Sequence, residues 1–248
     1  MRTRLAPTPS GYLHVGNLVN FALTAHWARE FSAEIALRID DIDAPRTRHE
    51  YIDDIFRVID WLGIKHQVGP ATAEDLSAWS QNTRLEHYRA ALETIRAHPG
   101  LSYACVCTRA SLVSSPCRCA TRDREFTVGR TALRMRTDDG ADPILWRRDG
   151  LPAYHLTSVV DDDLLGITLV VRGEDLRPST AIQRDVAALL PGNTFGRARV
   201  IHHPLIEDVR GVKMSKSAGA GAQPLPLTDQ LREDIAIHVS RYSAEITP

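Results

Sequence analysis

Four cysteines fall within fifteen residues, in "CVCTRASLVSSPCRC": Cys105, Cys107, Cys117 and Cys119. The spacing is C-x-C, nine residues, C-x-C. Four thiolates this close suit a tetrahedral zinc ion, and four protein ligands would leave no open position for catalysis. Two disulfide-like clips are the main alternative, which a reducing compartment disfavours. A cluster of unligated thiols is the third. A second chemical feature is "KMSKS", residues 213–217, where Lys213 and Lys216 bracket a Met-Ser pair. Two mobile ammonium groups can neutralise charge that develops on a polyphosphate. A solvated basic loop is the plain alternative. A third is "GYLHVGN", residues 11–17, a glycine-bearing turn with His14. Set between a strand and a helix, such a turn offers backbone N–H groups and a helix dipole to an anion. It also reads as an ordinary turn with a surface histidine. The fourth is "LRIDDID", residues 37–43, with aspartates at 40, 41 and 43. Such a cluster can hold Mg²⁺, cap a turn or grip a cationic group.

The surrounding patterns say what must position these groups. "TRLAP" reads as a short strand ended by Pro7 and Pro9. Leu18, Phe21, Ala22, Ala25 and Ala28 recur at helical spacing after the glycine turn. Ile35, Leu37 and Ile39 alternate, which predicts a strand ending in Asp40. Tyr51, Ile55, Val58, Ile59 and Leu62 predict a helix over 48–62, stopped by Gly63. Residues 82–97 predict another helix. Strand–helix–strand–helix order is the pattern of a parallel α/β sheet. Residues 99–145 break it with the cysteines and a strand in "TALRMRT". Beyond them, "AYHLTSVVDD", "GITLVVRG" and "ARVIHHP" read as strands, and "STAIQRDVAALL" and residues 228–241 as helices. "SAGAGAQPLP" reads as a mobile segment. On this reading Asp40 stands at a strand's C-terminal tip, where α/β sheets bind ligands. Asp41 and Asp43 read as turn and helix-capping residues before "APRTRHE".

The chain has 248 residues, a 43% hydrophobic fraction and a formal net charge of −1. That is enough for a real core, and it excludes a global basic field for nucleic acid. The N-terminus lacks a signal peptide, and no run is long enough for a membrane span. The expectation is a soluble, cytoplasmic protein.

Read in order, "RLAPTPSGYLHVGN", "LRIDDIDAPR", "AYHLTSVVDDDLLGITLVVRGEDL" and "HHPLI…KMSKS" resemble the catalytic domain of class I aminoacyl-tRNA synthetases of glutamyl type. The resemblance covers residues 4–217 and is closest to the truncated glutamyl-queuosine tRNA(Asp) branch. It implies a Rossmann-like parallel-sheet domain with a zinc-stabilised insertion. The divisions expected are 1–98 and 146–217 for the two halves of the catalytic domain, 99–145 for the insertion and 218–248 for a short tail. Only 31 residues follow Ser217, so the resemblance implies no anticodon-binding domain. The implied reaction is activation of L-glutamate with ATP and Mg²⁺, then transfer to queuosine of tRNA(Asp), by a monomer. An amino-acid ligase of the same fold with another acceptor is the first alternative. A ligand- or RNA-binding paralogue is the second.

The resemblance also assigns residues. His14, Gly16, Asn17, Lys213, Ser215 and Lys216 match nucleotide-binding positions, with His14 and the two lysines catalytic. Asn17 stands where the general signature has a second histidine. Arg4, Ala6, Thr8, Asp40, Tyr154 and Arg172 match substrate positions. Arg4 corresponds to the guanidinium that pairs with the side-chain carboxylate, a planar bidentate match. Thr8 replaces a serine. Asp40 replaces a glutamate that holds the α-ammonium, one methylene short. Taken alone, Tyr154 could pack a core and Arg172 could close a structural ion pair. The family's zinc set includes a tyrosine that this chain lacks. Cys119 would supply the missing ligand.

Overall fold

The computed structural model describes residues 1–43, 47–122, 124–206 and 223–245. In chain order the elements are β1 (Arg2–Leu5), α1 (Val15–Glu30), β2 (Glu34–Leu37), α2 (His49–Trp61), α3 (Leu76–Trp79) and α4 (Leu85–Arg96). Then come β3 (Ser102–Cys105), α5 (Arg109–Ser114), β4 (Ala132–Met135), β5 (Ile144–Trp146) and α6 (Tyr154–Leu164). The last are β6 (Leu169–Gly173), α7 (Arg177–Ala188), β7 (Arg199–His203) and α8 (Asp229–Glu245). Two compact units result. One comprises Met1–Thr83, Leu165–Pro178 and Arg197–Pro248; the other comprises Arg84–Leu164 and Ser179–Gly196.

The first unit is α/β with parallel strands. β1 pairs with β2 in the register Arg2–Glu34 to Leu5–Leu37, and β6 pairs with β7 from Leu169–Arg199 to Gly173–His203. The two ladders meet at β1 and β6, where the Thr168 N–H donates to the Arg2 carbonyl at 2.9 Å. Ile35, Leu37 and Ile39 are buried as expected, but Ala36 and Arg38 between them are buried too, and the strand expected to run to Asp40 ends at Leu37. α1 buries Leu18, Val19, Phe21, Leu23, Ala25, Trp27 and Ala28, and it packs against β1, β6 and α8. A helix apolar on so many sides belongs at the centre of its unit. α2 shows the narrower stripe of a covering helix, Ile52, Ile55, Val58 and Ile59. Gly63 ends it with φ +67°, a left-handed conformation that favours glycine.

The second unit holds an antiparallel sheet in the order β3-β4-β5, with a bulge between Leu133 and Arg134. Here one expectation is corrected. Residues 153–162 read as a strand, but Tyr154–Leu164 form helix α6. Its β-branched Thr157, Val159 and Val160 mimic a strand run. Burial of every residue from Leu156 to Asp162 erases the helical period that would have revealed it. Thr157 and Ser158 return their hydroxyls to the Tyr154 carbonyl, at 3.2 and 2.7 Å, as helical residues can. The buried Asp161 accepts from Tyr88 Oη at 2.7 Å and Arg84 Nε at 2.8 Å, which ties α6 to α4. The helix expected over 82–97 divides into a 3₁₀ turn, Gln81–Arg84, and α4. Among the described residues, no helix is long and apolar enough to cross a membrane.

Candidate active site

In the first unit the chain leaves β1 at Leu5 and reaches α1 through the turn 6–14. His14 has extended backbone, φ −111° and ψ 167°, at the N-cap of α1. Its carbonyl accepts the Asn17 N–H at 2.8 Å. The Asn17 Oδ1 accepts the His14 N–H at 3.0 Å, the return half of a capping box. So Asn17, expected at the nucleotide, is also the residue that closes the helix start. Gly16 lies in that same first turn. The turn is held from outside by α2. The buried Asp54 carboxylate accepts the Leu13 N–H at 2.8 Å, and Tyr12 meets Tyr51 edge-on with ring centroids 5.0 Å apart.

Of the expected amino-acid residues, Arg4, Ala6, Thr8, Asp40 and Arg172 lie on or just beyond strands of the first unit. Arg4 is buried on β1 and Arg172 is buried on β6. Ala6 is half-buried and Thr8 exposed in the β1 exit. Asp40 lies beyond Leu37, the last residue of β2, and its N–H donates to the Pro7 carbonyl at 2.9 Å. That bond sets Asp40 beside the β1 exit. The Asp40 carboxylate is gripped in bidentate fashion by Arg38, with Nε–Oδ1 at 2.7 Å and Nη2–Oδ2 at 3.1 Å. Gln81 Nε2 adds a longer contact at 3.4 Å.

Asp41 departs from expectation. The α2 N-cap is Arg48, which makes no side-chain cap, and the helix begins at His49. The Asp41 carboxylate instead accepts the Gln81 N–H at 2.7 Å, and Gln81 Oε1 accepts the Ile42 N–H at 3.0 Å. Asp41 therefore caps a 3₁₀ turn forty residues downstream. Among the described residues the aspartate cluster forms no metal-binding group.

Lys213, Ser215 and Lys216, like the segment 218–222, lie outside the described residues. Tyr154 opens α6 in the second unit and is 41% exposed, too open for core packing. Sequence reasoning missed several supporting residues. Arg38 sits two positions from Asp40 on the same face, a signal that was available. Asp54 and Gln81 carry no local signal. Nor does the pair Asn20 and His203, joined Nδ2 to Nε2 at 3.0 Å. His203 Nδ1 donates to the Pro204 carbonyl at 2.8 Å, and burial holds its pKa below the usual histidine value.

In the second unit all four cysteines converge as free thiols. Cys105–Cys117, Cys107–Cys117 and Cys107–Cys119 are each 3.7 Å apart, and all four sulfurs lie within 4.8 Å. Zinc–sulfur bonds of about 2.3 Å set a tetrahedral S–S edge of about 3.8 Å. The donor set is therefore of the size and softness that zinc requires. Backbone N–H groups of Cys107 and Cys119 point at the sulfurs of Cys105 and Cys117. The thiols differ in acidity. Burial and neighbouring thiols push Cys107 up to about 12. Cys119 falls to about 7 against the effect of burial, because the Val106 N–H and three thiols bond to it. β3 carries Cys105, and Tyr103 on the same strand bonds Asp142 at 2.7 Å.

The family "tRNA synthetases class I (E and Q), catalytic domain" matches residues 1–125 and 121–233. "Glutamyl-Q tRNA(Asp) synthetase" from Synechococcus sp. is 38% identical over 236 residues, covering 90% of this chain and 76% of that protein. "Glutamate--tRNA ligase 2" from Gluconacetobacter diazotrophicus is 32% identical over 256 residues, covering 87% of this chain and 55% of the relative. The chain thus spans about half the length of that ligase. The crystal structure of glutamate-tRNA synthetase from Elizabethkingia anophelis superposes with a TM-score of 0.68 at 21% identity. That alignment covers 88% of this chain and 53% of the other, and it establishes a shared fold. On the sequence match across its two halves, the chain belongs to the class I tRNA synthetases of the E and Q type.

Proposed function

We propose that this chain activates L-glutamate with ATP and passes the glutamyl group to queuosine of tRNA(Asp). The observation that carries the reading is the pair of buried guanidiniums, Arg4 on β1 and Arg172 on β6, two strands that pack on each other and on α1. Guanidiniums suit a ligand rich in carboxylate and phosphate. Relatives named Glutamyl-Q tRNA(Asp) synthetase, at 32–38% identity over most of the chain, support the acceptor.

In the proposed mechanism Arg4 pairs with the side-chain carboxylate of glutamate, and Asp40 faces its α-ammonium. Arg172 completes the amino-acid contacts within the first unit, with Ala6 and Thr8 lining the exit of β1; Tyr154 is assigned to the substrate by resemblance alone. His14, at the α1 N-terminus with Gly16 and Asn17, holds the triphosphate. The substrate α-carboxylate attacks the α-phosphorus in line, and pyrophosphate leaves. Lys213 and Lys216, with Ser215 between them, offset charge on the α-phosphate. A queuosine hydroxyl then attacks the mixed anhydride, loses its proton and releases AMP. Positioning and charge stabilisation carry both steps. Mg²⁺ would enter with ATP and supply charge screening, and Cys105, Cys107, Cys117 and Cys119 would hold a zinc ion that ties the insertion together. On this reading the protein is a cytoplasmic monomer.

One observation favours a second acceptor or amino acid: Asp40 is a short carboxylate already gripped by Arg38. ATP–pyrophosphate exchange across a panel of amino acids, followed by label transfer to total tRNA, separates the readings. Exchange with glutamate and label on tRNA(Asp) is the expected result. Exchange without label on tRNA would move the assignment to an amino-acid ligase with another acceptor. No exchange with any amino acid would overturn the activation chemistry.

A further inference from the structure

The turn before α1 is not self-supporting. Leu13 is buried, and its N–H is satisfied by a side chain 41 residues away, Asp54 of α2, at 2.8 Å. Asp54 also takes Arg57 Nη2 at 2.6 Å and Nε at 3.1 Å. Arg57 Nη2 in turn donates to the Leu225 carbonyl at 3.1 Å. Tyr51, Asp54 and Arg57 follow at i, i+3 and i+6, so one stripe of α2 carries every contact. The two ends of this chain of bonds have meaning in the sequence. Leu13 immediately precedes His14. Leu225 lies eight residues beyond Ser217, the end of "KMSKS".

We propose that Asp54 is a positioning residue for the nucleotide. Through Leu13 it fixes the backbone that sets His14 and the start of α1, and through Arg57 it anchors the chain at Leu225. The inference rests on the reading of the α1 start as the phosphate site. An alanine at 54 removes the acceptor and leaves a buried N–H unsatisfied, so the turn must move to regain a partner. An asparagine retains one acceptor oxygen for Leu13 while losing the charge that orients Arg57.

The test measures KM for ATP and for glutamate in pyrophosphate exchange, together with ATP affinity by calorimetry and the melting temperature. Asp54→Ala is expected to raise KM and Kd for ATP about tenfold, with KM for glutamate within about twofold of wild type. Asp54→Asn should recover most of that loss. Arg57→Ala should raise KM for ATP about threefold; its side chain is 40% exposed, so the variant is expected to fold even if Asp54→Ala does not. A fall in melting temperature with both KM values unchanged, or moving together, would overturn the proposal and leave a structural ion pair. Wild-type protein that binds ATP but supports no exchange would sink the proposed activity while calorimetry still decides the role of Asp54. Wild-type protein that binds no ATP would sink both.

Discussion

Replacing Asp40 with asparagine separates the ion pair that the structure gives this carboxylate from the substrate role proposed for it. The Arg38 side chain is 2% exposed and that of Asp40 is 12% exposed, and the pair is bidentate. Removing one partner of a buried ion pair costs about 3–5 kcal/mol. Asparagine keeps one acceptor oxygen near Arg38, so we expect about 3 kcal/mol, the low end of that range. For a chain of this size that lowers the melting temperature by about 6–12 °C. The proposed second job is substrate binding. A hydrogen bond to a charged group contributes about 1.5–3 kcal/mol, so KM for glutamate should rise about ten- to a hundredfold. KM for ATP should not change. Asp40→Glu serves as the control. It keeps the charge, reaches one methylene further, and should lower KM for glutamate. The measurements are thermal melting and pyrophosphate exchange with each substrate varied in turn. A lower melting temperature with an unchanged KM for glutamate would refute the substrate role and leave Asp40 as the counter-ion of Arg38. If neither quantity moved, the reasoning from the ion pair would fail as well.

Three further predictions follow from other parts of the molecule. Purified protein should carry about one zinc per chain, and Cys119→Ser should lower that content and the resistance of the insertion to protease. Protein purified without any chelator and still free of zinc would contradict the fit of the sulfur tetrahedron. In the second unit, Asp161→Ala should destabilise by about 3–5 kcal/mol in denaturant, since it strands Arg84 beside a buried site. Tyr88→Phe should cost less, about 1–2 kcal/mol, because Arg84 still holds the carboxylate. The pH dependence of stability should carry a His203 component. Burial lowers the folded pKa of His203, so as pH falls through about 6.5 the unfolded chain takes up the proton first. Stability should therefore drop below that pH, down to the lowered folded pKa. His203→Gln should flatten the slope, and an unchanged slope would exclude His203 as its source.

What could be read from the sequence was whatever repeats locally. The alternation of Ile35, Leu37 and Ile39 announced a buried parallel strand, and the stripe Ile52, Ile55, Val58 and Ile59 announced a covering helix. The helix stripe exists because the opposite face of α2 meets solvent; in the strand Ala36 and Arg38 are buried as well, so its alternation is one of side-chain type and not of exposure. α6 failed for the opposite reason. With Leu156 through Asp162 all buried, side-chain chemistry no longer marks a face, and β-branched residues tip the reading to strand. The cysteine spacing was legible because C-x-C pairs are local, while their meeting at 3.7 Å depends on β3 and the turn at Cys119–Thr121.

The aspartates show where legibility stops and why. Asp40, Asp41 and Asp54 share one functional group, and of their partners only Arg38 and Arg57 lie within a few residues. Asp40 is paired by Arg38 and sits at a strand exit, so its charge is balanced but still partly open to a ligand. Asp41 is buried against a backbone N–H from Gln81, so it serves as a cap. Asp54 is buried against the Leu13 N–H and a half-open Arg57, so it can transmit position from one segment to another. Two of those assignments depend on partners 40 and 41 residues away. A carboxylate's role is set by the charge and the burial of what it meets. Local sequence therefore names the residues able to do chemistry, and the fold decides which carboxylate faces a substrate and which holds the backbone in place for it.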